Sequence, residues 1–270
     1  MRLFVNLPLS FAAREPRYID MLIAQGVSPE LGMDTFAVQE LDEKWHKDVA
    51  DKFAAAGLPC GIHLPFFDLA AGSLNNRILK ATRHTLLRAV ELSEVYQPVH
   101  YVGHPGYEAG QHELFHDEWL SRSMLTWTLL LKETDYAVPF FLENTFEKDP
   151  TPLVELMEEL PEERAAFCFD VGHWYSFGGG YKRNNLTQWL DAFASRLGHL
   201  HLHDNDGSDD QHRALGDGTI PLLDLFDYIQ KHDLTPSATL EPHEEDAFSK
   251  SIEYLEAHST SVCFLAHPEE

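Results

Sequence analysis

The sequence predicts an α/β fold of one kind: a single (β/α)8 TIM barrel taking residues 1–270 as one domain, with its active site at the C-terminal ends of the strands. Three observations lead there. Short apolar runs alternate with longer amphipathic segments, unit after unit, along the 270 residues. No Pro/Gly-rich linker or break in composition divides them. No glycine-rich phosphate loop of the GxGxxG or GxxxxGK type follows the first strand, so the main signature of an open doubly wound sheet is missing.

The units read in order. Residues 3–7 (LFVNL) form the first strand and 16–25 its helix; 30–34 (ELGMD) form a weaker second strand before a helix over 39–56. CGIHLPF (60–66) is the third strand, followed by a long helix over 75–95 with apolar residues at helical spacing. VHYVGHP (99–105) leads into a helix over 114–133, PFFLEN (139–144) into 152–160, and AAFCFDVG (165–172) into 186–197. HLHLHD (199–204) precedes a helix over 221–232, and ATLEP (238–242) precedes 246–258. GGGY (178–181), in the loop after the sixth strand, reads as a flexible lid, and VCFLAH (262–267) as a tail strand.

Composition limits the partners. With 44 acidic against 20 basic residues, the formal charge of −24 gives a field that repels polyanions. DNA is therefore disfavoured but not excluded, and bound divalent cations would make a site locally less negative than the whole. Cys60, Cys168 and Cys263 lie in apolar runs without ligand-like spacing and read as buried thiols of a reducing, cytoplasmic compartment. The opening MRLFVNLPLSFAA resembles a secretory signal, but Asn6 and Pro8 interrupt it and it suits a strand better. No apolar run approaches the roughly 20 residues that cross a bilayer, so no membrane partner is expected. The oligomeric state is left open.

The chemistry concentrates between His199 and Gly218, HLHLHDNDGSDDQHRALGDG. Alternation along a strand points His199, His201 and His203 the same way, and Asp210 and His212, two apart, can reach one ion from the loop. Other strand ends offer His63, His104 in HPGY, Glu143 in LENT, Asp170 and His173 in DVGH, and Glu241 in LEPH. Singly, each reads as a capping carboxylate or a surface histidine. Together they put His63, His104, Glu143, Asp170, His173, His201, Asp210, His212 and Glu241 on one rim.

This run of motifs resembles the xylose isomerase-like TIM-barrel superfamily, from the third strand to the eighth. In its sugar isomerases and epimerases, the motifs matching Glu143, Asp170, His201 and Glu241 hold one catalytic divalent metal. The segments HLP, HPG, ENT, DVGH, HLHD, DQHRALGDG and LEP also match the branch typified by endonuclease IV (AP endonuclease family 2), which cleaves abasic-site DNA with three zinc ions. That resemblance implies His63, His104 and Glu143 around one ion, with Glu143 bridging to a second held by Asp170, His201 and Glu241. His173, Asp210 and His212 would hold the third. The expected cofactor is thus one to three divalent ions, of Zn, Mn, Fe or Co, since mixed histidine and carboxylate ligands suit all four.

Two enzyme readings follow. As an isomerase or epimerase of a small sugar or sugar phosphate, the favoured reading, the chain would polarise a carbonyl and its neighbouring hydroxyl on the metal. Glu143 or Glu241 would then move a proton between adjacent carbons, with catalytic His173 orienting the sugar. Arg213 and Lys182, with the neighbouring Arg183, would receive a hydroxyl or phosphate. Phe66, with Phe67, would roof a small apolar pocket, and Trp174 would also line the substrate site. As a phosphodiester hydrolase acting on abasic-site DNA or a small phosphoester, it would use two or three ions to activate a bridging water. Four ligand carboxylates against three divalent ions leave about two positive charges, which suits a phosphodiester. A metal-bound barrel that only binds a metabolite is the non-catalytic alternative.

Overall fold

The computed structural model describes residues 2–265. The chain runs β1 (Leu3–Pro8), α1 (Leu9–Arg14), α2 (Arg17–Gln25), β2 (Ser28–Gly32), α3 (Thr35–Glu40), α4 (Glu43–Ala55), β3 (Gly61–His63) and α5 (Asn76–Ser93). It continues through β4 (His100–Gly103), α6 (Ala109–His112), α7 (His116–Lys132), β5 (Phe140–Glu143), α8 (Thr151–Glu158) and β6 (Ala165–Asp170). Then come α9 (Val171–Tyr175), α10 (Gly180–Arg183), α11 (Leu186–Phe193), β7 (Leu197–Leu202), α12 (Leu222–Lys231), β8 (Ser237–Leu240) and α13 (Glu245–Ala257). The strands pair in parallel and in sequence order, and β8 pairs back onto β1, so the expected (β/α)8 TIM barrel is closed.

Strand alternation divides the interior in two. Outward-facing Leu31, Ile62, Tyr101, Phe140, Phe167 and Leu200 join the helices in one large apolar layer. Phe167, for example, stacks on Phe193 of α11 with ring centroids 3.6 Å apart. The lumen is different. Its buried apolar residues are Phe4, edge-on to His100, and a separate small cluster of Val102, Phe141 and Cys168. Glu30, His100, His199, His201 and Thr239, all buried, fill the remainder. A polar lumen is stable only where its groups satisfy one another.

Several boundaries depart from the sequence reading. The second strand is Ser28–Gly32 and not 30–34, because Asp34 leaves it to cap α3, its Oδ1 accepting from Ala37 N at 3.0 Å. The helix expected over 39–56 is broken in two, since Leu41 is extended and Asp42 caps α4 by accepting from Trp45 N at 2.8 Å. The tail strand does not form in the described residues. Cys263–Leu265 make a 3-10 turn whose Leu265 carbonyl accepts from Arg2 N at 2.9 Å, and residues 266 and 267 lie outside the described residues. GGGY is not all loop: Gly180 begins α10 against Trp174, where a Cβ would meet the indole at 2.5 Å. Cys60 and Cys168 are buried as expected, but Cys263 is exposed. Among the described residues no helix is long and apolar enough to cross a membrane.

Candidate metal centre

The C-terminal ends of β3 to β8 and the loops after them bring all nine predicted ligands into one buried cluster. Glu143, at the end of β5, stands at its middle. One carboxylate oxygen, Oε2, lies 3.1 Å from His63 Nε2 and 2.9 Å from His104 Nε2. The other, Oε1, lies 3.1 Å from His173 Nδ1 and 3.4 Å from His201 Nδ1. Around His201 Nδ1 stand also Glu241 Oε1 at 3.4 Å and Asp170 Oδ2 at 3.7 Å. A third group forms where Asp210 Oδ2 meets His212 Nε2 at 2.9 Å and His173 Nε2 at 3.4 Å.

Local structure explains how the loops deliver these groups. Asp170 caps the short helix α9, its Oδ1 accepting from His173 N at 2.6 Å, so the DVGH spacing returns His173 to the cluster one turn later. In the long loop after β7, Asp204 accepts from Gly216 N and Ile220 N and folds the segment back onto itself. The aspartates of that loop therefore divide: Asp204 builds it, Asp206 pairs with Arg213, and Asp210 enters the cluster. His212 takes a left-handed backbone with φ 47°, an uncommon conformation for a non-glycine residue, and this turn aims its ring inward.

The protons on the ring nitrogens decide whether cations fit. A carbonyl oxygen can only accept, so a ring nitrogen bonded to one carries the proton. Nδ1 of His63 donates to Leu64 O at 2.9 Å, Nδ1 of His173 to Asn144 O at 3.0 Å, and Nδ1 of His212 to Glu241 O at 2.9 Å. In each neutral ring this leaves Nε2 as a lone pair facing carboxylate oxygens. His201 Nδ1 and Asp210 Oδ1 are buried without any hydrogen-bond partner. Lone pairs aimed at carboxylates, with orphaned buried atoms among them, fit divalent cations and are costly without a positive charge.

Protons supply that charge when no metal does. Burial disfavours imidazolium, yet their neighbours, Asp170 and Asp210 for His173 and Cys168, Glu241 and Glu143 for His201, hold both rings well above the ordinary histidine value. His212 is lifted to about 9 by Asp210 and Glu241 against the same burial. His104 behaves oppositely, burial outweighing Glu143 and lowering it. Burial would raise the Glu143 acid, but His104, His201 and His173 hold it well below the usual carboxylate range.

The predicted substrate contacts fare unevenly. Phe66 stacks on His104 with centroids 4.5 Å apart and meets His63 edge-on, at the cluster's mouth. Trp174 does not face that mouth: it is 1% exposed, packs in the core under α10 and donates to Asn185 Oδ1 at 3.1 Å. An indole of that size on α9 is consumed by helix packing. Arg213 donates to Asp206 Oδ2 at 2.8 Å on the outer loop, and Lys182 sits exposed, its ammonium 4.9 Å from the Tyr181 ring. The contacts of both cations lie outside the ligand cluster.

Other groups were not selected as site residues from the sequence, although alternation did place His203 on the face of His201. Glu30 is fully buried on the barrel axis, 3.0 Å from His201 Nε2 and 2.9 Å from His100 Nε2. His203 stacks on His212, which stacks on His243, at 3.9 and 3.8 Å. Phe177 stacks on His173 and touches Phe146, adding a second aromatic edge. Asn6 donates to Glu241 Oε1 at 3.1 Å from β1. Period-two alternation from His104 back to His100 along β4 carried a signal, whereas Glu30, the single acid of SPELG, carried none.

Beside Asn6 a cavity of about 430 Å³ opens between β1, α2 and the segment after β8, lined by Pro8, Phe11, Tyr18, His243 and Glu244 among others. Among the described residues, no lysine or arginine lines it.

Comparison with known proteins places this geometry. A D-tagatose 3-epimerase-like protein of known structure superposes with a TM-score of 0.79 at 21% identity, over 97% of this chain and 98% of that one. A Thermus thermophilus protein, solved after soaking with ZnCl2, gives 0.79 at 25% identity over the whole of both chains. A D-psicose 3-epimerase from Clostridium cellulolyticum, solved with D-tagatose, gives 0.72 at 13% identity over 98% and 99%. In sequence, an uncharacterized protein of Methanocaldococcus jannaschii is 27% identical over 177 residues, 63% of this chain and 59% of its own length. The family described as xylose isomerase-like TIM barrel, AP endonuclease 2, matches residues 27–258, and the chain belongs to it.

Proposed function

We propose that this protein is a divalent-metal-dependent isomerase or epimerase of a small sugar or sugar phosphate. One observation carries the reading: Glu143 Oε1 and Glu241 Oε1, from strands on different sides of the barrel, each stand 3.4 Å from the same unpartnered His201 Nδ1. Glu143, Asp170, His201 and Glu241 would hold the central ion, which when bound supplies a Lewis acid for a carbonyl and its neighbouring hydroxyl. The zinc-soaked relative supports a metal in this fold.

The chain's own residues do the rest. Glu143 and Glu241 are the acid–base pair: one carboxylate takes the proton beside the carbonyl, and the other returns a proton to the carbon skeleton. Asn6 fixes the Glu241 carboxylate through its 3.1 Å hydrogen bond. Phe66 and Phe177 offer aromatic faces to the C–H face of a sugar and shelter the reacting carbons from water. Epimerase neighbours support a sugar substrate.

A second reading rests on a specific observation. His63 and His104 on one flank, and His173, Asp210 and His212 on the other, make two further ligand groups that a single ion does not use. Three ions would suit phosphoester hydrolysis. Incubating zinc- or manganese-loaded protein with unphosphorylated keto sugars in deuterated water separates the two. Deuterium entering carbon next to the carbonyl is expected. Incision of an abasic-site duplex or release of phosphate, with no exchange on any sugar, would favour the hydrolase.

A further inference from the structure

Glu30 has no place in the ligand set, yet it is the carboxylate that crosses the lumen. It projects from β2, and its partner His201 projects from β7, on the other side of the β1–β8 seam. Its two oxygens are unequal. Oε2 accepts from Thr239 Oγ1 at 2.8 Å and from His100 Nε2 at 2.9 Å, with His199 Nε2 at 3.2 Å. Oε1 is left for His201 Nε2 at 3.0 Å. At the other end of that ring, Nδ1 is buried without a partner, facing oxygens of Glu143, Glu241 and Asp170.

The rings of His63, His173 and His212 are each pinned through Nδ1 by a backbone carbonyl. His201 is held the other way round, through Nε2, by a side chain. We propose that Glu30 is a positioning residue that keeps the proton of neutral His201 on Nε2 and presents Nδ1 as the metal-binding lone pair. The inference rests on the metal reading given above and adds to it a tautomer and its cause. The physical basis is general: an acceptor on the far nitrogen orients a ligating imidazole and raises its basicity. A carboxylate does both more strongly than a carbonyl, because it accepts a charge-assisted hydrogen bond.

The arrangement makes one substitution diagnostic. In Glu30→Gln the side chain keeps its shape, but His100 and Thr239 still require an acceptor where Oε2 stands. The amide oxygen goes there, and the amide NH2 takes the place of Oε1. It then donates to His201 Nε2, which moves the ring proton to Nδ1 and blocks the proposed ligand atom.

The experiment uses the full chain with labelled histidine. Long-range proton–nitrogen NMR of the imidazoles, in metal-free protein at a pH where His201 is neutral, reports which nitrogen carries the proton. Zinc affinity is measured in parallel by chelator competition. Wild type is expected to hold the proton on Nε2, and Glu30→Gln on Nδ1, with zinc affinity lower by about 10- to 100-fold and an unchanged circular dichroism spectrum. A wild-type proton on Nδ1 overturns the proposal, and so does a Glu30→Gln protein with wild-type tautomer and wild-type zinc affinity. If Glu30→Gln does not fold, the wild-type tautomer alone decides. Wild type that binds no zinc would sink the metal reading, while the metal-free spectra would still support or overturn the role of Glu30.

Discussion

Glu143 is where the candidate ligand groups meet, with two histidines on one oxygen and two on the other. Replacing it should therefore cost both binding and chemistry. Glu143→Gln is expected to reduce zinc affinity and to lower turnover by about 10²- to 10⁴-fold, whereas Arg213→Ala should leave KM for the sugar unchanged, because that guanidinium is engaged with Asp206. Steady-state kinetics on the two variants check both. The titration of His212 gives a second expectation. Its value in the folded protein, about 9, lies above its ordinary 6.5, so in metal-free protein it contributes stability that is fully present below about 6.5 and is lost as pH rises through 9. Metal competes for the same Nε2, so zinc should bind more tightly as pH rises over that window, with proton release at neutral pH. Zinc titrations between pH 6 and 9 that give one pH-independent affinity would contradict this. At this scale the sequence was most informative where residue types repeat: HLHLH, DVGH and LEP announce ligands by kind and spacing. It was silent on Glu30, a single acid in a short strand, and it misjudged Trp174, whose burial is decided by packing between α9 and α10.

At the level of elements, the strand ends carry the site and the turns after them aim it. Gly172, the first-turn glycine of α9, lies against the His203 ring, where a Cβ would sit 1.9 Å from Cε1. Gly172→Ala should thus push His203 out of its stack with His212 and cost about 1–3 kcal/mol, read from urea unfolding. An unaltered midpoint would show that the ring has room to yield. The same scale explains the boundary errors. Hydrophobic periodicity located every strand, but helix starts are set by caps such as Asp34 and Asp42, whose effect on chain direction is local and does not show in the periodicity. The GGGY run is a related case: its small residues admit the Trp174 indole, a packing reason that the run itself does not reveal.

The whole molecule is a barrel whose apolar core lies between strands and helices, while its lumen is filled by histidines and acids. Such an interior is stable when its charges are balanced, so a bound cation should raise the stability of the fold as a whole. Removing metal with a chelator is expected to lower Tm, by about 2–4 °C for each kcal/mol of binding free energy lost at this chain size; melting curves with and without zinc check it. The net charge of −24 acts at the same scale. With Arg213 paired to Asp206 and acidic residues outnumbering basic ones 44 to 20, the fully metallated protein should show no binding to duplex DNA at moderate salt in fluorescence anisotropy. The barrel was legible because eight apolar runs, evenly spaced without a linker, admit few topologies. The polar lumen was legible only in part, because alternation shows which residues share a face but not which strands oppose each other across the axis.

The central claim is that residues from His63 to Glu241 form one cation-holding pocket, and anomalous diffraction from crystals of zinc-loaded protein tests it most directly. The account predicts a peak between Glu143, Asp170, His201 and Glu241, with any further peaks beside His63 and His104 or beside Asp210 and His212. No peak among these side chains, or zinc bound only elsewhere on the molecule, would contradict it.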